Sequence, residues 1–217
     1  MNKLLKPLKI VAFNGSPRRK GNTFLLIQQM FKVFQKHNVE TELVNITKKD
    51  IDGCTDCGIC EKRLNYKCAI ESDCVNDCIE KLRKADGFIL GTPVYFAGPS
   101  GQMKCFIDRI CHVDQALRRN NKESFLRHKV TAGISAHASA GATNTLSQLN
   151  YLFTISNAII PGSTYWNFGV GHEIGDVLKD KSGLENMDDL ANEMVHLMKM
   201  VRLDNRKKKE EIKSRYY

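Results

Sequence analysis

The stretch IVAFNGSPRRKGNT, residues 10–23, decides the fold, because it links an apolar run to a glycine-bounded loop and to the start of an amphipathic segment. Ile10–Phe13 has the continuous apolar character of a buried strand. After the loop, apolar residues within 24–34 recur at helical spacing, with polar residues between them. The stretch therefore predicts a strand, a tight loop and a helix in direct succession.

The loop between that strand and that helix predicts a phosphate site. A helix start directs free backbone N–H groups and the positive end of the helix dipole at one spot, which suits an anion. Ser16 and Thr23 add hydroxyl donors, Arg18 adds a charge, and Gly15 and Gly21 let the backbone approach the ligand. The alternative is an ordinary turn with an exposed basic loop. Neither a Gly-x-Gly-x-x-Gly pattern nor a Walker-type Lys-Ser or Lys-Thr pair is present, which disfavours a dinucleotide domain and an NTPase.

The rest of the chain repeats the alternation of strand and helix. The predicted strands are 10–13, 41–46, 87–91, 129–135 and 158–166, and the predicted helices are 24–34, 75–84, 101–111, 143–156 and 187–201. Five strands separated by helices predict an α/β fold, a doubly wound parallel sheet with right-handed crossovers. We expect one domain, 1–202, with a cysteine-rich loop at 52–74 and a charged, solvated or disordered tail at 203–217.

Composition narrows the classes of partner and compartment. The formal net charge of +9 is a weak sign of nucleic-acid binding, because residues 202–217 hold four of the nine charges and no base-reading motif is present. The first nine residues contain three lysines and a proline, so we expect no signal peptide, no membrane span and a cytoplasmic protein. In that reducing compartment, eight cysteines favour metal or redox chemistry over a disulfide framework.

Two separated segments resemble one known family. Gly-Ser-Pro-Arg followed by Gly-Asn-Thr, in residues 15–23, resembles the phosphate loop of the flavodoxin-like NAD(P)H-dependent FMN reductases. The family pattern in the second segment is matched at Thr92, Pro93, Tyr95, Ser100, Gly101, Lys104, Asp108 and Arg109. The resemblance implies a flavodoxin-like five-stranded parallel sheet of order 2-1-3-4-5 with helices on both faces. It also implies that Ser16, Arg18, Asn22 and Thr23 bind the 5′-phosphate of FMN, and that the chain forms a homodimer or a dimer of dimers.

Two further loops are predicted to hold the flavin ring. Pro93, Val94, Tyr95 and Phe96 form a stiff apolar shelf that suits a flat ring, although the two aromatic residues could instead cover the end of the sheet. Ser135–Thr143 is rich in small residues and corresponds to the third flavin loop of the family. Its predicted contacts are Ser135, His137 and Gly141. His137 hydrogen-bonds the ring, protonates a product, or is a solvated loop histidine.

Four closely spaced cysteines, Cys54, Cys57, Cys60 and Cys68, are predicted to converge on one centre. Thiolate ligands favour a [4Fe–4S] cluster or zinc. This compact motif resembles the iron–sulfur flavoproteins, a branch of the same family. The acidic pair that often follows the fourth cysteine there is replaced by Glu-Ser-Asp-Cys in residues 71–74. Cys74 and Cys78 are spare ligands, a thiol pair or packing residues, and Cys105 and Cys111 are predicted to be buried.

The Lys104–Asp108 pair on the predicted fourth helix has i, i+4 spacing, and we assign it and Arg109 to structure rather than to chemistry.

The resemblance implies an FMN-dependent NAD(P)H oxidoreductase that reduces quinones, flavins or nitro- and azo-aromatics. NAD(P)H and the acceptor would use the same exposed flavin face in turn, which is a ping-pong mechanism, and no essential catalytic residue is predicted. One alternative is an iron–sulfur flavoprotein that carries electrons between a ferredoxin-like donor and FMN. Another is a non-enzymatic FMN-binding redox sensor.

Overall fold

The computed structural model describes residues 6–48 and 50–216. Its strands are β1 (Lys9–Asn14), β2 (Glu40–Asn45), β3 (Gly87–Pro93), β4 (Val130–His137) and β5 (Phe168–Val170). Its α-helices are α1 (Asn22–Lys36), α2 (Ile59–Arg63), α3 (Val75–Lys84), α4 (Gly101–Arg119), α5 (Ala142–Ile155) and α6 (Lys181–Tyr216). Short 3₁₀ turns lie at Ile46–Lys48 and Asp176–Lys179. Within the described residues, no helix combines the length and the apolar character needed to cross a bilayer.

The five strands form one parallel sheet of order β2-β1-β3-β4-β5, as predicted. Because β1, β3 and β4 are neighbours, the loops that follow them leave the same edge of the sheet side by side. The strand order reverses at that edge between β1 and β3, which is where doubly wound sheets bind their ligands. The fold thus brings the three predicted flavin loops together.

Helices cover both faces of the sheet, so the central strands are buried on both sides. Ile10 and Ala12 of β1 pack with α1 and α6 in one apolar cluster. Val11 and Phe13 pack with α3, α4 and α5 in the other cluster. This two-sided burial explains why β1 is a continuous apolar run rather than an alternating one.

The prediction of the fifth strand at 158–166 was wrong. Ile159 makes one bridge to Val130 of β4, but the chain then leaves the sheet and the strand proper begins at Phe168. Pro161 follows the bridge, and proline cannot donate a ladder hydrogen bond. The apolar residues 158–160 therefore do not continue into β5, which begins only after the irregular segment that follows Pro161.

Several boundaries of helices and strands also differ from the prediction, three of them by enough to matter. Helix α4 continues from Cys111 to Arg119, and β4 continues to His137, so Ser135 and His137 belong to the end of a strand rather than to a loop. The backbone of α6 continues to Tyr216, although we predicted a solvated or disordered tail from residue 203. Residues 1–5 of the predicted domain and Tyr217 lie outside the described residues. The cysteine-rich loop contains α2, a short helix that we did not predict.

Candidate functional site

Direct hydrogen bonds join the loops after β1 and β3 to each other and to the ends of β3 and β4. The Gly15 N–H donates to the Gly91 carbonyl at 2.8 Å, and the Ser100 hydroxyl donates to the Gly15 carbonyl at 2.7 Å. The Val94 N–H donates to the Ala136 carbonyl at 2.9 Å. The three loops therefore form one rigid surface at the carboxyl edge of the sheet.

The loop after β1 is organised by its own side chains. The buried Asn14 side chain accepts a hydrogen bond from the Ser16 N–H at 3.1 Å, and the Ser16 hydroxyl accepts one from the Arg18 N–H at 3.2 Å. Ser16 and Thr23 are buried, whereas the Arg18 side chain is exposed. Helix α1 begins after Gly21 without a side-chain cap from the described residues, so its first N–H groups are left for a ligand. This arrangement suits a phosphate.

The Asn22 side chain makes contacts that the sequence did not indicate. Its side-chain amide donates to the Gly171 and Glu173 carbonyls at 3.0 and 2.9 Å, and its oxygen accepts from the Gly175 N–H at 2.9 Å. The side chain thus ties the start of α1 to segment 171–175. Because these contacts use only the side chain, the backbone N–H of Asn22 is the group available to donate to a phosphate.

The loop after β3 carries a tight hairpin turn, Tyr95–Gly98, closed by backbone hydrogen bonds of 2.8 and 3.0 Å. Phe96 and Ala97 have φ values of 48° and 59°, the left-handed conformation of a type I′ turn. Asn144 and Gln148 of α5 donate to the Ala97 carbonyl at 2.9 and 3.1 Å. The turn is therefore held rigidly with the Phe96 ring fully exposed, so this ring does not cover the end of the sheet.

At the end of β4, buried polar atoms of two side chains lack partners. The Ser135 hydroxyl and both ring nitrogens of His137 are buried and make no hydrogen bond within the part of the chain that the structure describes. The His137 ring packs edge-on against Phe168, with 4.8 Å between ring centroids. Burial lowers the pKa of His137, while the charge of Asp180 and the nearby Ser139 backbone, which is not placed for a well-formed hydrogen bond, partly oppose this effect. Pro93, the last residue of the adjacent β3, pairs with Ala136 of β4. Ser135 and His137 therefore lie next to the point where β3 ends and its loop begins.

Gly141 joins the second and third loops. Its φ is +87°, and a Cβ built there would lie 2.8 Å from Cα of Ala97. The site therefore combines an uncapped helix start, an exposed aromatic turn and unpartnered polar groups. This donor set fits a ligand with a phosphate at one end and a flat polar ring at the other.

The four predicted metal-binding cysteines are brought together. Cys54, Cys57, Cys60 and Cys68 line one small cavity between the cysteine-rich loop and α4, and burial raises the pKa of Cys60. Among the described residues, no three His, Cys, Asp or Glu side chains are arranged to hold a single metal ion. Zinc needs its sulfur ligands within about 2.3 Å of one ion, whereas each ligand of a cluster binds a different iron. Four thiols around one cavity are the kind of ligand that both a cluster and zinc take.

The contacts of Arg109 were not predicted from the sequence. The Lys104–Asp108 pair is exposed and 2.7 Å long, as its spacing predicts. Arg109, the next residue, is buried and forms an ion pair with the buried Asp73. Its guanidinium also donates to Sγ of Cys68 at 3.3 Å. The two partners are 36 and 41 residues away in sequence, so no local pattern could have indicated these contacts.

The remaining cysteines do not line the cavity. Cys78 is buried in the core, and its thiol lowers the pKa of the neighbouring Cys74 to about 7. Cys105 and Cys111 pack against the core but are half-buried rather than fully buried as predicted. All eight cysteines are free thiols, so the structure contains no disulfide among them.

Comparisons with known proteins show which family this chain resembles. The family model of the NADPH-dependent FMN reductases matches residues 8–173. An iron–sulfur flavoprotein of Methanocaldococcus jannaschii is 33% identical over 202 residues, which cover 90% of this chain and 100% of that protein. A putative NAD(P)H-dependent FMN-containing oxidoreductase of Bacillus subtilis is 24% identical and covers 82% of this chain and 93% of that protein.

A solved archaeal flavodoxin matches with a TM-score of 0.57 at 10% identity, covering 88% of this chain and 99% of that one. At this identity the match shows the fold alone, and it confirms the flavodoxin-like fold.

Proposed function

Since this chain belongs to the NADPH-dependent FMN reductase family, in its iron–sulfur flavoprotein branch, and is a flavin-dependent oxidoreductase, we propose that it carries single electrons between a ferredoxin-like partner and FMN through a [4Fe–4S] cluster. The observation that carries this proposal is the convergence of Cys54, Cys57, Cys60 and Cys68 on one cavity. A reductase that used FMN alone would have no need for four thiols around one cavity.

The loop after β1 holds the flavin in this proposal. The hydroxyls of Ser16 and Thr23, the N–H groups at the start of α1 and the charge of Arg18 bind the phosphate. Tyr95 and Phe96, with Pro93 and Val94 behind them, present an apolar surface to one side of the ring. When bound, FMN supplies hydride acceptance and one- or two-electron transfer.

The polar groups at the end of β4 orient the ring. Ser135 and His137 offer hydrogen-bonding atoms that have no partner among the described residues, and Gly141 keeps the adjoining loop close to the turn. Because burial lowers the pKa of His137, its neutral form is favoured near neutral pH. We assign no essential acid or base to these residues.

A second candidate is direct NAD(P)H oxidation with transfer to a quinone, a flavin or a nitro- or azo-aromatic. Its support is the description of the family as NADPH-dependent and the similar Bacillus subtilis oxidoreductase. In this reaction NAD(P)H and the acceptor use the flavin face in turn, by a ping-pong mechanism. The description of the family as reductases favours either reaction over the sensor alternative.

The test is an iron and flavin assay with a visible spectrum on protein purified without oxygen. We expect flavin bands together with broad cluster absorbance and about four irons per chain. Cys57→Ser should remove the iron and leave the flavin, whereas Cys111→Ser, outside the cavity, should keep both. Flavin without iron in the unaltered protein, together with steady NAD(P)H oxidation, would reject the cluster and favour the second candidate. Flavin without turnover would favour a sensor.

A further inference from the structure

The buried guanidinium of Arg109 is committed almost entirely to the cysteine-rich loop. It donates to the Ile70 carbonyl at 2.9 Å, to the Asp52 carbonyl at 3.4 Å and to Sγ of Cys68 at 3.3 Å, and it pairs with Asp73. The side chains of Arg109 and Asp73 are 0% and 2% exposed. A buried ion pair is costly to form and destabilising to break, so its position beside the four cysteines calls for a specific role.

A second side chain holds the same part of the loop without touching sulfur. Asn76 of α3 accepts a hydrogen bond from the Cys68 N–H at 2.8 Å and donates to the carbonyls of Cys68 and Ile70 at 3.1 and 3.2 Å. The backbone around Cys68 is therefore already fixed from α3. Arg109 adds two things that Asn76 does not supply. Its guanidinium donates an N–H···S hydrogen bond to Sγ of Cys68 and brings a positive charge close to that sulfur.

We propose that Arg109 is a positioning residue that raises the reduction potential of the cluster by donating to Sγ of Cys68, with Asp73 limiting the size of the effect. The inference rests on the proposed function. Hydrogen bonds to ligand sulfurs and nearby charge are the protein's means of setting a cluster potential. Reduction adds negative charge to the cluster, so a buried cation bonded to a ligand sulfur stabilises the reduced form. The negative charge of Asp73 acts in the opposite direction.

Two variants have opposite expected effects. Arg109→Lys keeps the charge opposite Asp73 but loses the planar fork that reaches both Asp73 and Cys68. It should lower the potential, with about a tenfold fall in the ratio of reduced to oxidised cluster at fixed ambient potential, which is 59 mV for one electron. Asp73→Asn keeps the acceptor oxygen for the Val75 N–H but removes the negative charge, so it should raise the potential. Lys104→Gln, which removes an exposed cation that pairs with Asp108 on the same helix as Arg109, should leave the potential unchanged.

The measurement is a redox titration of the purified holoprotein, with the cluster followed by electron paramagnetic resonance and FMN followed by absorbance in the same sample. The FMN potential should stay constant in all variants. Equal cluster potentials in Arg109→Lys, Asp73→Asn and the unaltered protein would overturn the inference, and so would loss of iron in both variants, since Arg109 would then be purely structural. Absence of iron from the unaltered protein would instead overturn the proposed function, and this inference with it.

Discussion

At the scale of single residues, the hydroxyls of the loop after β1 are the sharpest test of the flavin site. Ser16→Ala and Thr23→Ala should each weaken FMN binding by about 1.5–3 kcal/mol, because each removes a hydrogen bond to a charged phosphate. The measurement is a titration of FMN fluorescence with the apoprotein. Ser147→Ala, on the exposed side of α5, is the matched control and should bind FMN normally. Unchanged FMN affinity in both loop variants would show that this loop does not bind the phosphate.

His137 links the same site to the pH dependence of stability. Burial lowers its pKa in the folded protein, whereas in the unfolded chain the pKa is about 6.5. As the pH falls below about 6.5, the unfolded chain takes up a proton that the folded chain excludes, so His137 lowers the free energy of unfolding in acid. Above that pH the residue is neutral in both states and has no such effect.

We therefore compare the free energy of unfolding of the His137→Gln apoprotein with that of the unaltered apoprotein. The variant should become more stable relative to the unaltered protein as the pH is lowered from 8 to 5.5. Urea unfolding at the two pH values measures this difference, and the difference at pH 8 serves as the baseline. A stability difference that does not change with pH would show that the ring is protonated as readily in the folded protein as in the unfolded chain.

Sequence patterns revealed the positions of site residues better than their contacts. The glycines, hydroxyls and cysteines are local patterns, and the structure brings the loops that carry them together. The contacts of Asn22 and Arg109 were missed because their partners are distant in sequence. Asn22 binds backbone groups about 150 residues away, and Arg109 binds a carboxylate 36 residues away. Only the packing of the whole domain determines such pairs.

At the scale of secondary-structure elements, periodicity predicted the number and order of strands but not where the last strand begins. β1 and β3 are short apolar runs with clear ends, so their positions followed from sequence. The run at 158–166 begins with Ala-Ile-Ile, yet Pro161 and the polar residues Ser163 and Thr164 follow, and the strand begins only at Phe168. The backbone of helix α6 continues beyond the apolar positions that predicted it, because lysine, arginine and glutamate are good helix formers.

The junction between the turn after β3 and the start of α5 is the element-scale feature that we expect to matter for function. Gly141→Ala would place a Cβ 2.8 Å from Ala97 Cα at a φ of +87°, which forces the two flavin loops apart. We expect a loss of more than about 1 kcal/mol in stability from the left-handed conformation alone, together with weaker FMN binding.

Gly162→Ala is the matched control, since a Cβ there meets no atom within 4 Å and the residue lies in the irregular segment before β5. Denaturant unfolding and FMN titration of both variants make the comparison. If Gly141→Ala bound FMN as tightly as Gly162→Ala, the contact between the two loops would not form part of the site.

At the scale of the whole molecule, the exposed aromatic turn supports the predicted homodimer or dimer of dimers. Phe96 is fully exposed and Tyr95 is 47% exposed, on a turn that α5 holds rigid. A phenylalanine held in water on a rigid turn gains about 25 cal/mol for each Å² of apolar surface that a partner covers. The turn also lies beside the flavin loops, so a second copy seated on it would shield the ring from water.

Sedimentation velocity on the holoprotein should therefore give a species of two or four chains. Phe96→Asp should shift it towards monomer, because a carboxylate would have to be desolvated at the contact. The control is Met200→Asp on α6, where an equally apolar side chain is 53% exposed far from the loops after β3 and β4. A purely monomeric unaltered protein would refute the assembly. If Phe96→Asp and Met200→Asp shifted the protein towards monomer equally, the turn would not be the contact between the chains.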